Sequence, residues 1–248
     1  MLAPFAPIFR TLSTRRPPEN NQLEKPFKIR YNTPAMNTTL YILFGLIVIL
    51  LLTAVVWRLA SRRQSLPCPA ALRWMVELDN PFTKTNRAAV ILDLLNLKPG
   101  MVVLDVGCGP GRLTLPAAKQ VGPHGRITAM DIQQAMLDRT RQKAQDAGLT
   151  NIDYLCAAAG EGRLEPGCFD CALLVTVLGE IPDQQPALQE IFRALKPGAI
   201  LSVTEVIFDP HFQRRSTVKQ LTETAGFRQT ACFGTRFAYT MHLQKPGT

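Results

Sequence analysis

The sequence predicts an α/β fold: an open, doubly wound, seven-stranded sheet that ends in an antiparallel hairpin and is preceded by a single transmembrane helix. Three observations carry this expectation. Short β-branched runs alternate with helix-length segments over residues 85–246. The first of these runs opens into a glycine-rich loop, MVVLDVGCGPG at 101–111. Upstream, 20 residues from Thr38 to Trp57 pass without a charge.

In the first strand, Val102, Val103 and Leu104 are bulky and uninterrupted by polar residues, as in a strand buried on both faces of a parallel sheet. The strand gives way to Gly107, Gly109 and Gly111. Without a Cβ, such a loop takes positive φ and lets a ligand approach the backbone. Arg112 to Val121 has helical composition, so the loop is expected to aim amides and a helix N-terminus at its ligand. Asp105 is expected where the strand's carboxyl end opens into the ligand crevice of an α/β sheet.

The glycine spacing discriminates between ligands. A dinucleotide fingerprint has glycines at positions 1, 3 and 6; here they fall at 1, 3 and 5, and no Gly-Lys-Ser/Thr follows, which excludes a P-loop. LDVGCGPG resembles the first motif of class I S-adenosylmethionine-dependent methyltransferases, and the fold implied is Rossmann-like; an NAD-type or non-catalytic relative is the alternative. The resemblance implies that Asp105, Gly107, Cys108, Gly109 and Gly111 hold S-adenosylmethionine.

A second strand, Arg126 to Met130, ends at Asp131, 24 positions after Gly107. That is close to the interval of roughly 20 that brings an acid to a ribose diol, where a carboxylate accepts both hydroxyl protons. Ile132 would flank the adenine, and Gln133 to Ala147 forms a helix ended by Gly148. After the third strand, Ile152 to Cys156, the family commonly carries Gly-Asp-Ala, whose acid accepts from the adenine amino group. This chain has Ala157, Ala158 and Ala159 instead. Backbone at Ala158 and Ala159, or the carboxylate of Glu161, would replace that contact.

The fourth strand is expected over Asp170 to Val177; the resemblance implies that its end faces the transferable methyl, with Thr176 beside the cofactor and Glu180 as the polar residue to watch. A helix from Pro186 to Leu195 follows, with Pro in its first turn. LKPGAILSVTE then reads as a reverse turn and a fifth strand ending at Glu205, and its LKPG also resembles the family. A helix from Ser216 to Ala225 precedes strands Phe227 to Phe233 and Phe237 to Leu243, joined at Gly234 and Thr235 as a hairpin. Ahead of the first strand, Val90, Ile91, Leu94, Leu95 and Leu97 have helical spacing. Asn80-Pro81 separates them from a short helix over Ala70 to Asp79, where Trp74 and Met75 either close over the site or simply pack.

A sulfonium methyl is already activated, so the resemblance implies that the protein mainly aligns an acceptor and excludes water. A base is needed only for an acceptor that must lose a proton. Glu180, Glu205, Asp209 and His211 are the candidates, with Glu180 and His211 foremost. The six cysteines give one C-x-x-C, Cys168 to Cys171, without the second ligand pair that a zinc site requires, and read as reduced thiols.

The net charge of +9 is uneven. Residues 1–63 hold nine Lys/Arg against Glu19 and Glu24, a surplus of +7; residues 64–248 hold the other 19 against 17 acids, a surplus of +2. The globular part therefore lacks the basic face that nucleic-acid binding demands. The charge-free stretch, about 30 Å as a helix, carries Tyr41 and Trp57 near its ends and Arg58, Arg62 and Arg63 just beyond. A cleaved signal peptide would have a shorter apolar region and a small-residue cleavage site. The expected organisation is a disordered or non-physiological leader over 1–37, a membrane helix over 38–59, a linker with a short helix over 60–84, and the methyltransferase-like domain over 85–246. If Met36 is the start, the positive-inside rule places the domain in the cytoplasm. If Met1 is, Lys25, Lys28 and Arg30 balance the flanking charges, and the acid-free beginning also fits an organellar presequence. A membrane tether favours a small or lipid-like acceptor such as a quinone precursor or lipid headgroup. A membrane-anchored, non-catalytic binding or assembly factor of the same fold is the competing expectation.

Overall fold

The structure is a computed structural model that describes residues 38–64 and 86–247, and within the first range not the side chains of residues 54, 57, 58 and 61–64. The leader, the helix expected over Ala70 to Asp79 and most of the linker lie outside the described residues. Helix α1 runs Thr38–Gln64, 27 residues. It is longer than the expected 38–59 because Ser61 to Gln64 contains no breaker before Pro67. Its apolar side chains are exposed, among them Phe44, Leu46, Leu50 and Val56. The expected membrane span is not carried by the structure: among the described residues no helix is long and apolar enough to cross a membrane.

The globular part begins with α2, Ala88–Leu95, whose apolar spacing buries Ile91 and Leu92. Asn96 ends it in the left-handed conformation (φ 51°), which Asn tolerates better than most residues. There follow β1 (Val102–Val106), α3 (Thr114–Val121), β2 (Arg126–Asp131), α4 (Gln134–Asp146), β3 (Ile152–Cys156), β4 (Phe169–Val175), α5 (Gln184–Ala194), β5 (Leu195–Val206), α6 (Arg215–Thr224), β6 (Arg228–Gly234) and β7 (Ala238–Gln244). The sheet order is β3-β2-β1-β4-β5-β7-β6. The first five strands are parallel, and β7 is antiparallel to both β5 and β6.

Alternation along the strands divides the core. Val103, Ile127, Ala129, Leu173 and Val175 face α2, α3 and α4. Leu104, Val106, Met130, Leu174 and Val203 face the layer of α5 and α6. The doubly wound expectation is therefore met, with two apolar faces on one sheet. Strand order reverses between β1 and β4, and the crevice at the carboxyl ends of strands on either side of such a switch is where these sheets take ligands.

Two expected boundaries differ for physical reasons. LKPG is not a turn ahead of β5 but a looped-out piece of it. Phe169 pairs with Leu195 and Cys171 with Ile200, so residues 196–199 are extruded, with Gly198 at φ 81°. Lys196 reaches Asp170 at 2.7 Å and Gly198 N–H donates to the Lys245 carbonyl at 2.9 Å, which holds the bulge. The last two strands start one residue later than expected; ahead of β6, Phe227 is buried edge-on against Phe192 (5.0 Å between centroids) instead of pairing in the sheet.

Candidate functional site

The glycine loop sits at the switch point between β1 and β4, and four features hold it. Gly107 and Cys108 N–H both donate to the Met130 carbonyl, at 2.8 and 3.0 Å. Gly109 N–H donates to Asp131 Oδ2 at 2.9 Å. From α4, the Thr140 hydroxyl donates to the Gly109 carbonyl at 2.9 Å and Lys143 Nζ to the Pro110 carbonyl at 2.9 Å. Gly111 N–H turns back to the Cys108 carbonyl at 3.1 Å. The expectation that the loop aims amides at a ligand is corrected, because the amides of Gly107, Cys108, Gly109 and Gly111 all donate within the protein. An anion cradle needs those amides free. What remains is a close approach of bare backbone, which suits a cationic or neutral ligand better than a phosphate.

The glycines have separate reasons for being glycine. All three take positive φ: 68°, 52° and 81°. A Cβ on Gly107 would collide with Val177 after β4, while one on Gly111 would meet Leu115 at 2.5 Å and Thr140 at 2.8 Å. Gly111 therefore serves the packing of α3 and α4 rather than the approach of a ligand.

Asp105 lies inside β1, not at its opening, and is buried. Thr114 donates its hydroxyl to Asp105 Oδ2 at 2.6 Å, tying the start of α3 to the strand. Burial pushes its carboxyl up to about 6, against the Thr114 bond and the nearby Arg112. Arg112 in turn holds the backbone carbonyl of Asn86 at 2.6 Å, fixing the segment ahead of α2. Cys108 is buried, with its thiol pushed well above the ordinary range by desolvation, so its side chain is a packing group.

Asp131 ends β2 beside the loop, 8 % exposed. Its Oδ1 accepts Gln133 N–H at 2.8 Å while Oδ2 holds Gly109. Burial raises its carboxyl and the backbone bonds oppose the shift. Ile132 N–H also bears on this carboxylate, an acceptor-only group with about four lone-pair sites in all. Ile132, next in sequence, is 53 % exposed, a large apolar side chain left on the surface beside the acid. The Ala157 N–H donates to the Asp131 carbonyl at 3.2 Å, placing the alanine loop on the other side. Glu161 folds back so that its carboxylate accepts Ala158 N–H at 3.3 Å; Ala158 and Ala159 are half-buried.

The fourth strand stops at Val175, two residues before the expected end. Thr176 is strained, at φ 57°, with its N–H on the Thr204 carbonyl at 2.8 Å and its hydroxyl on Val175 at 2.7 Å. Non-glycine residues there cost of order 1–3 kcal/mol and gather at functional sites. The strain turns the chain into a single 3₁₀ turn, Leu178–Glu180. Glu180 is pushed up to about 8 by burial, with Asp209 and Asp131 as like charges. Glu205, buried at the end of β5, is also pushed up to about 8 by burial, against the Gln213 N–H that donates to it at 2.9 Å. His211 is buried; its N–H donates to Asp209 at 2.7 Å, and its carbonyl lies where a Cβ on Gly179 would be. Of the two foremost catalytic candidates, the structure brings Glu180 within electrostatic reach of Asp131 and sets the backbone of His211 against Gly179, the residue before Glu180.

Some supporting residues were missed by sequence reasoning. Glu190, buried in α5, accepts the N–H groups of Gly160 and Leu164, the latter at 2.9 Å, and so fixes the loop that carries Ala158 and Ala159. A glutamate on an apolar helix face was its one signal. Thr140 and Lys143 lay on an unremarkable polar helix. The five described cysteines carry free thiols.

A family model described as a methyltransferase domain matches residues 97–241, more than half of the chain. The ubiquinone/menaquinone biosynthesis C-methyltransferase of Vibrio cholerae is 36% identical over 115 residues, which is 46% of this chain and 44% of that protein. The demethylmenaquinone methyltransferase of Listeria welshimeri is 32% identical over 111 residues, 45% of this chain and 47% of that one. The chain thus spans less than half the length of these curated relatives. In fold it is similar to a SAM-dependent methyltransferase from Aquifex aeolicus, with a TM-score of 0.65 and 22% identity, covering 72% of this chain and 100% of the other.

Proposed function

The chain belongs to the methyltransferase-domain family, and on that premise we propose that it moves the methyl group of S-adenosylmethionine to a small, lipophilic, membrane-associated acceptor. The observation that carries this reading is the pairing of Asp131 with Gly109 at the switch point, beside an exposed Ile132. S-adenosylmethionine supplies a methyl already activated by its sulfonium. The residues present fit it: Asp131 has lone pairs for a ribose diol, Ile132 and the backbone at Ala158 and Ala159 frame an adenine, and the glycine loop admits a cationic centre among carboxylates. Asp105 acts through Thr114 by holding the start of α3, and Thr176 sets the turn that presents Glu180.

Glu180 is the residue that takes the acceptor's proton, where one must leave. A carboxyl pushed up to about 8 by burial is a stronger base than an ordinary carboxylate and lies near the operating range suited to that task. His211 keeps the 3₁₀ turn in place through Gly179 and is a positioning residue. Replacing Glu180 with Gln is expected to lower turnover 10²–10⁴-fold on an acceptor that needs deprotonation, with the affinity for S-adenosylmethionine unchanged. Unchanged turnover would move the base elsewhere.

The membrane reading rests on the 20 charge-free residues of Thr38 to Trp57 and on the exposed apolar side chains of α1. With Met36 as the start, the positive-inside rule supports a cytoplasmic domain; an organellar membrane is the alternative. The quinone-pathway names of the relatives support a quinone-precursor acceptor. A second reading, a non-catalytic membrane-anchored factor, is favoured by the missing acid at Ala158. Methyl transfer from labelled S-adenosylmethionine into a membrane extract separates the two: a labelled lipophilic product is expected, and cofactor binding by calorimetry without any labelled product would support the factor.

A further inference from the structure

At the antiparallel edge of the sheet, beside the Glu180 end of the site, β5 stops at Val206 and the chain turns through residues 207–210. Ile207 N–H donates to the Phe237 carbonyl at 2.7 Å, so this turn and the approach to β7 lie side by side as one lip. Phe208 is 66 % exposed and Phe237 47 %. Outside α1, these and Ile132 are the only exposed large hydrophobic side chains among the described residues. Ile132 belongs to the cofactor pocket proposed above; Phe208 and Phe237 stand instead on the two segments that the Ile207–Phe237 backbone bond joins.

The surroundings are basic. The Arg236 guanidinium lies 4.6 Å from the Phe237 ring centroid. Arg214 is exposed at the start of α6, and Arg215 donates to the Gly234 carbonyl at 2.9 Å. Past Asp209, whose carboxylate accepts the His211 N–H, the sequence holds one acid, Glu223, and it faces Lys219 at 3.8 Å. Exposed phenylalanines with arginines on the adjoining segments match the boundary between headgroups and acyl chains, where rings bury and guanidinium groups meet phosphate. A nucleic-acid partner would need a basic track following a backbone; here Arg236 lies over one exposed ring, and the start of α6, with Arg214 and Arg215, is tied to the same hairpin at Gly234. We propose that Phe208, Phe237, Arg214 and Arg236 form a contact for an anionic lipid surface. His211 begins where this lip ends and abuts Gly179, so the contact sets the acceptor end of the site against the bilayer. The inference rests on the membrane reading above only in requiring a bilayer within reach.

The test uses the full chain in vesicles of phosphatidylcholine, with or without about one-third phosphatidylglycerol, containing brominated lipid. Added emission from Phe208→Trp, or from Phe237→Trp should the first variant not fold, is read above the wild-type signal. Glu165→Trp, ahead of β4 at the opposite end of that strand, is the control. Expected is strong quenching for the lip variants in anionic vesicles and little for the control, weakened about fivefold for each charge lost in Arg214→Glu/Arg236→Glu. Quenching no greater than the control's overturns the proposal. Equal quenching in neutral vesicles overturns the anionic partner, and emission that changes with protein concentration at fixed lipid assigns the lip to a second copy instead. Flotation reads α1 separately: chains that float while the lip stays unquenched leave the anchor standing and remove the lip.

Discussion

Asp131 joins two parts of the chain 22 residues apart through the Gly109 amide, so its replacement by Ala acts twice. It removes acceptors for the ribose hydroxyls and frees the loop. With charge-assisted hydrogen bonds worth about 1.5–3 kcal/mol each, calorimetry should show at least a tenfold loss of S-adenosylmethionine affinity; undiminished binding would refute the pocket. Gly107→Ala adds a Cβ at φ 68° against Val177. A loss of roughly 2–4 kcal/mol is expected from strain plus overlap. Val177→Ala should recover the overlap part but not the backbone part, a split that denaturant titration of the double-mutant cycle measures. The raised carboxyls of Glu180 and Glu205 set a pH dependence whose sign is the reverse of a salt-bridged acid's. The folded state holds their protons more tightly than the unfolded chain does, so stability is greatest below the ordinary carboxylate range near 4.5 and falls as pH rises to about 8. Glu205→Gln removes one charged form, and its melting temperature should fall less between pH 5 and 9 than the wild type's (about these bounds bracket both pKa values); parallel curves would show that Glu205 is not held neutral.

The loop after β3 depends on α5, which is not its sequence neighbour. Glu190 receives two backbone N–H groups from it while buried. In Glu190→Ala both donors are left without their acceptor inside the protein, at a cost of about 1–3 kcal/mol each. Hydrogen exchange should then quicken at Gly160 and Leu164, and cofactor affinity should fall through Ala158 and Ala159. Unchanged exchange would show that the loop stands by itself. By contrast, a Cβ on Gly198 meets nothing within 4 Å. Gly198→Ala should cost only the backbone penalty of φ 81°, about 1 kcal/mol, and leave the site untouched.

The division of charge and apolarity along the chain bears on its behaviour as one body. The surplus of +7 lies in residues 1–63, around the charge-free stretch, and the rest is nearly balanced. If α1 enters a bilayer, Val48→Arg with Leu50→Arg places two charges near its middle, at about 2.5–3.5 kcal/mol each. The chain should then leave the membrane fraction, and continued sedimentation with membranes after high-salt washing would argue against insertion.

What the sequence determined by itself was local: the strands, the helices, the hairpin and the glycine loop, each written in a period of 2 or 3.6 and punctuated by Gly, Pro and Asn within a few residues. The place of Asp131 at the end of β2 was legible because it follows from the local strand pattern without knowledge of any distant partner. Tertiary structure alone decided that the loop amides are spent internally, that Asp105 faces Thr114 rather than the crevice, that LKPG is extruded from β5, and that Glu190 rather than a neighbour holds the alanine loop. Each of these is a pairing between groups distant in the chain, and hydrogen bonding and burial are settled only when the sheet order brings such groups together. The same holds for Glu180, whose proton affinity comes from burial beside Asp209 and Asp131, an environment that no short window of sequence contains.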